Sequence, residues 1–221
     1  MSSPACPCRF DGSLMWRIIL LAAVVVMLAA CGKQAKEEAI PSGSTVLALG
    51  DSLTAGAGVS PEQAWPDLLA GRTGWTVVNG GVNGNTSADA LKRLPALLEE
   101  HKPVLVLVTL GGNDMLRRVA QQETAANLGK ILERIKAHGA QAVLLATPQP
   151  SAISAVFQNL SPPEFYQQVA EQHRVPLIED AIPEVLSDPQ LKGDPLHPNA
   201  AGHALLAEKI YAALKSIGYV R

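Results

Sequence analysis

Cysteine is almost missing from this chain: three occur in 221 residues. So few cannot build a disulfide framework, and no His/Cys cluster has the spacing of a metal site. Neither a metal nor a cofactor is expected. Aromatic residues are also scarce, at 4%, which disfavours a cleft that stacks sugar rings. Neither sign of charge dominates. A net charge of −2 leaves no basic footprint for nucleic acid. There is no internal repeat and no low-complexity tract. Three catalytic signatures are missing as well. No G-x-S-x-G elbow occurs, which argues against an α/β-hydrolase. No G-x-x-x-x-G-K-[ST] loop occurs, and Gly56-Ala57-Gly58 lacks the third glycine of the dinucleotide fingerprint.

The longest uncharged apolar run spans Ile18 to Ala30, 13 residues after Met15-Trp16-Arg17. That is the length of a signal-peptide core and is short for a membrane span. It ends in Leu28-Ala29-Ala30-Cys31-Gly32, which resembles a bacterial lipobox, with Cys31 as the lipidated mature N-terminus. The bland alternative is a buried helix with a chance cysteine. Before Met15 the chain carries two cysteines and an aspartate, unlike a signal, so translation is read as starting at Met15. Either way Cys6 and Cys8 leave the mature protein. The expected organisation is a signal peptide over 1–30, a polar tether over 31–44 and one folded domain over 45–221.

Strand and helix signals alternate through that domain. Thr45–Gly50 is a continuous apolar run, suited to a strand buried on both faces. Pro61–Arg72 reads as a helix, Trp75–Asn79 as a strand and Ser87–Glu100 as a helix with Leu91, Leu94, Leu97 and Leu98 on one stripe. Val104–Leu110 is the clearest strand. A helix over Glu123–His138, strands over Gln141–Thr147 and Val175–Glu179, and a long helix over Asn199–Ile217 complete the pattern. The order implies an α/β fold, a parallel sheet covered on both faces. Ligands of such sheets bind beyond the carboxyl ends of the strands. The loops there read GDSLTAGAG, NGGVNGNTS, GGND and TPQPSAIS, with GDPLHPN before the last helix.

Ser52 ends the first apolar run. A serine there is usually a cap or turn residue. As a nucleophile it needs a base within hydrogen-bond reach. His101, His138 and His173 sit at helix ends in ordinary surface settings, and His203 falls inside the last helix as a surface or partly packed residue. His197 differs. Two prolines flank its loop, and Asp194 stands three residues ahead of it. A carboxylate there can fix the imidazole tautomer and stabilise the imidazolium, as in a Ser-His-Asp triad. On this loop alone, capping of the final helix explains Asp194 equally well. Acyl transfer also needs donors for an oxyanion. Gly84 can present an unobstructed N–H, Asn113 a side-chain amide, and Ser52 its own N–H. Gly84 as a turn glycine and Asn113 as a helix cap are the plain alternatives. Asp51 and Asn85 are read as shaping the site, and Asp114 as capping the following helix.

The ordered set GDSL, Gly84, GGND and DPLH resembles the SGNH hydrolases, also called GDSL esterases, over residues 45–215. The resemblance implies Ser52 as nucleophile, Asp194 and His197 as its partners, and Ser52, Gly84 and Asn113 as the oxyanion hole. It implies a flavodoxin-like, three-layer α/β/α fold with five parallel strands in the order 2-1-3-4-5. Ala64-Trp65-Pro66, Asn85-Thr86-Ser87 and Arg93–Leu98 resemble the bacterial thioesterase I, lysophospholipase and arylesterase branch. The implied activity is hydrolysis of carboxylic esters or thioesters by a membrane-anchored lipoprotein facing the periplasm. Few acyl-CoA molecules are met there, so a lipid, aryl or acetyl ester is the expected substrate. Two alternatives stand beside this: a carbohydrate O-acetylesterase of the envelope, and a non-catalytic lipoprotein with the same fold. The segment Thr147–Phe165 departs most from the branch, and lies where substrate is contacted.

Overall fold

A computed structural model describes residues 37–149 and 159–221. The expected signal peptide, Cys31 and the first part of the tether lie outside them. Five parallel strands form one sheet: β1 Thr45–Gly50, β2 Thr76–Gly81, β3 Leu105–Thr109, β4 Gln141–Leu145 and β5 Leu177–Ile178. Their order is β2-β1-β3-β4-β5, as expected. The direction of winding reverses between β1 and β3, which opens a crevice at their carboxyl ends.

Eight α-helices occur among the described residues: α1 Ser52–Ala55, α2 Trp65–Thr73, α3 Ser87–His101, α4 Gly112–Leu116, α5 Gln121–Ala137, α6 Phe165–His173, α7 Ala181–Ser187 and α8 Ala200–Ile217. They cover both faces of the sheet. Alternation along β1 shows why its apolar run is unbroken. Val46 and Ala48 face a core with Trp65 and Leu69 of α2 and Leu206, Ile210 and Leu214 of α8. Leu47 and Leu49 face the other core, with Leu94 and Leu98 of α3 and Leu128 and Ile131 of α5. Side chains alternate faces along a strand, and both faces are dry here.

Pro95 lies inside α3 and has no N–H to give. The Leu91 carbonyl it leaves orphaned accepts instead from Arg134 Nη1 of α5, at 3.0 Å. One side chain thus repairs the ladder and joins two helices.

Several expectations shift. The Pro61–Arg72 helix begins as a 3₁₀ turn, Pro61–Gln63, and becomes α-helical at Trp65. The last strand is two residues long, because it pairs only with β4 and only at Leu144 and Leu145. Helices α1, α4, α6 and α7 carry no element in the sequence reading. The tether is in part packed: the Glu37 N–H donates to Ile217 O at 3.1 Å, and the Ile40 N–H to Tyr219 O at 2.9 Å. Trp75 Nε1–H donates to Ile40 O at 3.2 Å. Ile40 also packs against the core beside Trp75, a contact that the polar composition around it hides.

His203 is a correction. It is fully buried, and its Nδ1 accepts from the Trp65 N–H at 3.4 Å. Burial keeps the ring neutral and pushes its pKa down to about 4. It serves as an acceptor for the open N-terminus of α2. Among the described residues no helix is long and apolar enough to cross a membrane.

Candidate active site

The turn after β1 decides where Ser52 goes. Asp51 caps α1: its Oδ1 accepts from the Leu53 N–H at 3.0 Å. Helix α1 then rests directly on the ends of β1 and β2. A Cβ at Gly50 would lie 2.0 Å from Thr54 Oγ1, and one at Gly81 would lie 2.1 Å from Ala55 N. Glycine at both positions is the condition for this close approach. Ser52 is therefore the first residue of a helix at the crevice floor, and its N–H has no partner among the described residues.

The loop before α8 supplies the other half. Asp194 Oδ1 accepts from the Leu196 N–H at 2.7 Å and from the His197 N–H at 2.9 Å. Asp194 Oδ2 lies 2.8 Å from His197 Nδ1. His197 Nε2 lies 2.9 Å from Ser52 Oγ. One carboxylate therefore shapes the loop and aims the ring. Burial pushes the Asp194 carboxyl up, but the hydrogen bonds from the His197 ring and from the Leu196 and His197 backbone together outweigh it and hold Asp194 below the usual carboxylate range. Capping of α8 falls to Asn199, whose Oδ1 accepts from the Gly202 N–H at 3.0 Å. The capping alternative for Asp194 is excluded.

Gly84 follows β2 with φ of +77°, a left-handed conformation that suits glycine. Its N–H has no partner among the described residues. Asn113 follows β3 in α4, and Gly111 is the cap of that helix, so Asn113 is not a cap. Its Nδ2 donates instead to Asp51 Oδ2 at 3.1 Å. Ser52, Gly84, Asn113 and His197 line a single cleft of about 620 Å³, walled also by Leu53, Leu116 and Leu186. The walls are mostly apolar, with a few polar groups among them. Asp51 is 2% exposed, and burial pushes its pKa up to about 6. Among the described residues no group of three or more His, Cys, Asp or Glu is placed to hold a metal ion.

Residues 48–205 match the GDSL-like lipase/acylhydrolase family. The chain belongs to that family. It is an ester hydrolase with the fold its motifs imply. It is 39% identical over 169 residues to the thioesterase 1/protease 1/lysophospholipase L1 of Escherichia coli K12, covering 74% of this chain and 80% of that one. It is 33% identical over 197 residues to an arylesterase of Vibrio mimicus, covering 86% and 94%. The crystal structure of TesA superposes with a TM-score of 0.71 at 34% identity, covering 79% of this chain and 99% of TesA.

The residues that support this GDSL hydrolase site were largely missed in the sequence. Arg93 of α3 donates from Nη2 to Gly50 O and from Nε to Asn85 Oδ1, both at 2.8 Å. It ties the Ser52 turn to the Gly84 loop. Arg117 Nη2 donates to Gly84 O at 2.7 Å. Tyr166 Oη donates to Leu110 O at 2.8 Å, just before Gly111 and Asn113, and also meets Thr147 Oγ1. Asp114 caps neither its own helix, where the cap is Gly111, nor the following α5, where it is Ala120. It is buried and accepts from the Ser87 N–H at 2.8 Å and from the Ser87 and Thr124 hydroxyls. It joins the starts of α3 and α5. The distances in sequence are the reason these were illegible, except for the helical spacing of Phe165, Tyr166, Val169 and Ala170.

Proposed function

We propose that this GDSL hydrolase cleaves medium-chain acyl esters of aryl or lipid alcohols by a Ser52 acyl-enzyme, from a lipid anchor on Cys31. The observation that carries the chemistry is the unbroken Ser52–His197–Asp194 hydrogen-bond chain, whose Ser52 and His197 line the cleft. Ser52 Oγ attacks the ester carbonyl as His197 Nε2 takes its proton. The tetrahedral oxyanion receives the Ser52 and Gly84 N–H groups and the second Nδ2–H of Asn113. The intermediate collapses, and His197 returns the proton to the leaving alcohol, phenol or thiol oxygen or sulfur. Water then enters, gives a proton to His197 and attacks the acyl-enzyme, releasing the acid and restoring Ser52.

The mostly apolar lining favours an acyl or aryl group over a sugar, which weighs against the O-acetylated carbohydrate reading. Thr147, Pro148 and Leu160 also line the cleft, so the departing segment bears on chain-length preference. Turnover of p-nitrophenyl esters from acetate to palmitate tests this: we expect a maximum at intermediate chain length. A maximum at acetate alone overturns the substrate reading.

Asn113→Ala is expected to lower kcat and kcat/KM by about 10²–10³-fold with little change in KM. The melting temperature should fall only modestly. A normal kcat in steady-state assays rules out the donor role.

The anchor rests on the Leu28–Cys31 string after an apolar core of signal length. Cys31→Ser is expected to move the protein from the membrane fraction to the soluble envelope fraction and to abolish labelling by a radioactive fatty acid. Unchanged labelling refutes the anchor and leaves the ester chemistry intact.

A further inference from the structure

An Asn side chain is a donor on one side and an acceptor on the other. Asn113 serves an oxyanion only with Nδ2 toward the reacting carbonyl. Turned over, it places Oδ1 lone pairs against developing negative charge. Something must set this polarity, and the group in contact is Asp51.

Asp51 uses both oxygens. Oδ1 accepts from the Leu53 N–H at 3.0 Å, and Oδ2 accepts from Asn113 Nδ2 at 3.1 Å. Capping accounts for Oδ1 alone. Asparagine and serine cap as well as aspartate and carry no charge, whereas an ionised carboxylate at 2% exposure costs desolvation free energy. The charge therefore needs a second cause. A carboxylate is acceptor-only, so it admits Nδ2 of Asn113 and rejects Oδ1. An asparagine at position 51 would commit its one oxygen to the Leu53 N–H. Its NH₂ would then face residue 113 and recruit Oδ1.

The geometry points to Asp51 as the positioning residue that sets the polarity of the Asn113 amide and so keeps its free N–H on the ester carbonyl oxygen. This rests on the donor role proposed for Asn113. Asp51 makes no hydrogen bond to the Ser52 or His197 side chain among the described residues; its side-chain partner is Asn113, and the double variant below separates this path from the through-space pull of its charge on His197. Nucleophile and polarity-setting carboxylate are chain neighbours on one turn. The floor that seats α1 thus seats both.

The test compares Asp51→Asn, Asp51→Ser and Asn113→Ala on one p-nitrophenyl ester, with the double variant Asp51→Asn/Asn113→Ala. Asp51→Asn imposes the reversed amide and is expected to lower kcat about 10²–10³-fold, like loss of a donor, with KM little changed. Asp51→Ser keeps the cap and removes the bias without reversing it, so it should lose less. A packing role predicts the opposite order, because asparagine is the closer isostere. The double variant should be no slower than Asn113→Ala, since the group through which Asp51 acts is gone. Asp51→Asn should also melt at or above the wild-type temperature at pH 8, where the buried carboxylate is ionised. An Asp51→Asn enzyme within threefold of wild type, beside an impaired Asn113→Ala, overturns this inference and spares the donor reading. So does a double variant whose losses multiply, or an asparagine variant faster than the serine one. A normal Asn113→Ala overturns both.

Discussion

Ser52→Ala is expected to reduce ester hydrolysis on the order of 10⁶-fold, the scale of losing the nucleophile from a triad. The size follows from connectivity. Without Oγ, His197 has no proton to accept from the enzyme, and Asp194 orients a ring with nothing to activate. The three groups act as a unit, so removing one forfeits nearly the whole effect. Residual turnover comes from the oxyanion donors acting on water. The substitution deletes one oxygen at a part-buried position, while the backbone bonds of α1 to Asp51 remain. Melting should move by no more than about 1 kcal/mol in stability, as for surface changes away from a core. The measurement is a kcat with p-nitrophenyl butyrate and a melting curve on the same sample, with contaminating esterase excluded by active-site titration. Near-normal turnover refutes Ser52 as nucleophile.

Asp194→Asn is expected to cost about 10³–10⁴-fold in kcat, through the tautomer of His197. Asp194 Oδ1 is committed to the Leu196 and His197 N–H groups. An asparagine keeps that oxygen in place and turns its NH₂ toward Nδ1. The ring must then accept at Nδ1 and carry its proton on Nε2, where the Ser52 hydroxyl needs a lone pair. Loop geometry survives and the base does not. The Asp194 side chain is 53% exposed, so water competes for Nδ1, which places the loss below that of Ser52→Ala. A pH–rate profile separates this from loop disorder: the variant should keep its KM while kcat drops throughout the neutral range. A loss under tenfold means that another group sets the tautomer.

The parts of this protein legible in the sequence share one property: their signals are local. β1 and β3 are apolar runs because both faces of the sheet are covered. α3 and α8 carry leucine and isoleucine at spacings of three and four. The motif residues are legible because the chemistry needs a specific residue type at the carboxyl end of a strand. Ser52, Gly84 and Asn113 each follow one, and Asp194 precedes His197 by three residues on one loop.

The rest depended on contacts between distant segments. Helix α4 is five residues long, too short for periodicity to register. β5 is a strand only because β4 offers it two positions. His203 looks like any histidine inside a helix until α2 docks its open N-terminus on the ring. Arg93, Arg117 and Tyr166 reach 43, 33 and 56 positions along the chain for their backbone partners, and no spacing rule spans such gaps. Asp51 shows the division best. Its place directly before Ser52 is written in the sequence. Its pairing with Asn113, 62 positions away, exists because β1 and β3 are neighbours in the sheet. Residue types and their local order determined the class of chemistry and the alternation of strands and helices. Which side chain faces which, and with what polarity, was decided by the winding that laid β3 beside β1, because hydrogen bonds act over about 3 Å and sequence distance carries no such information.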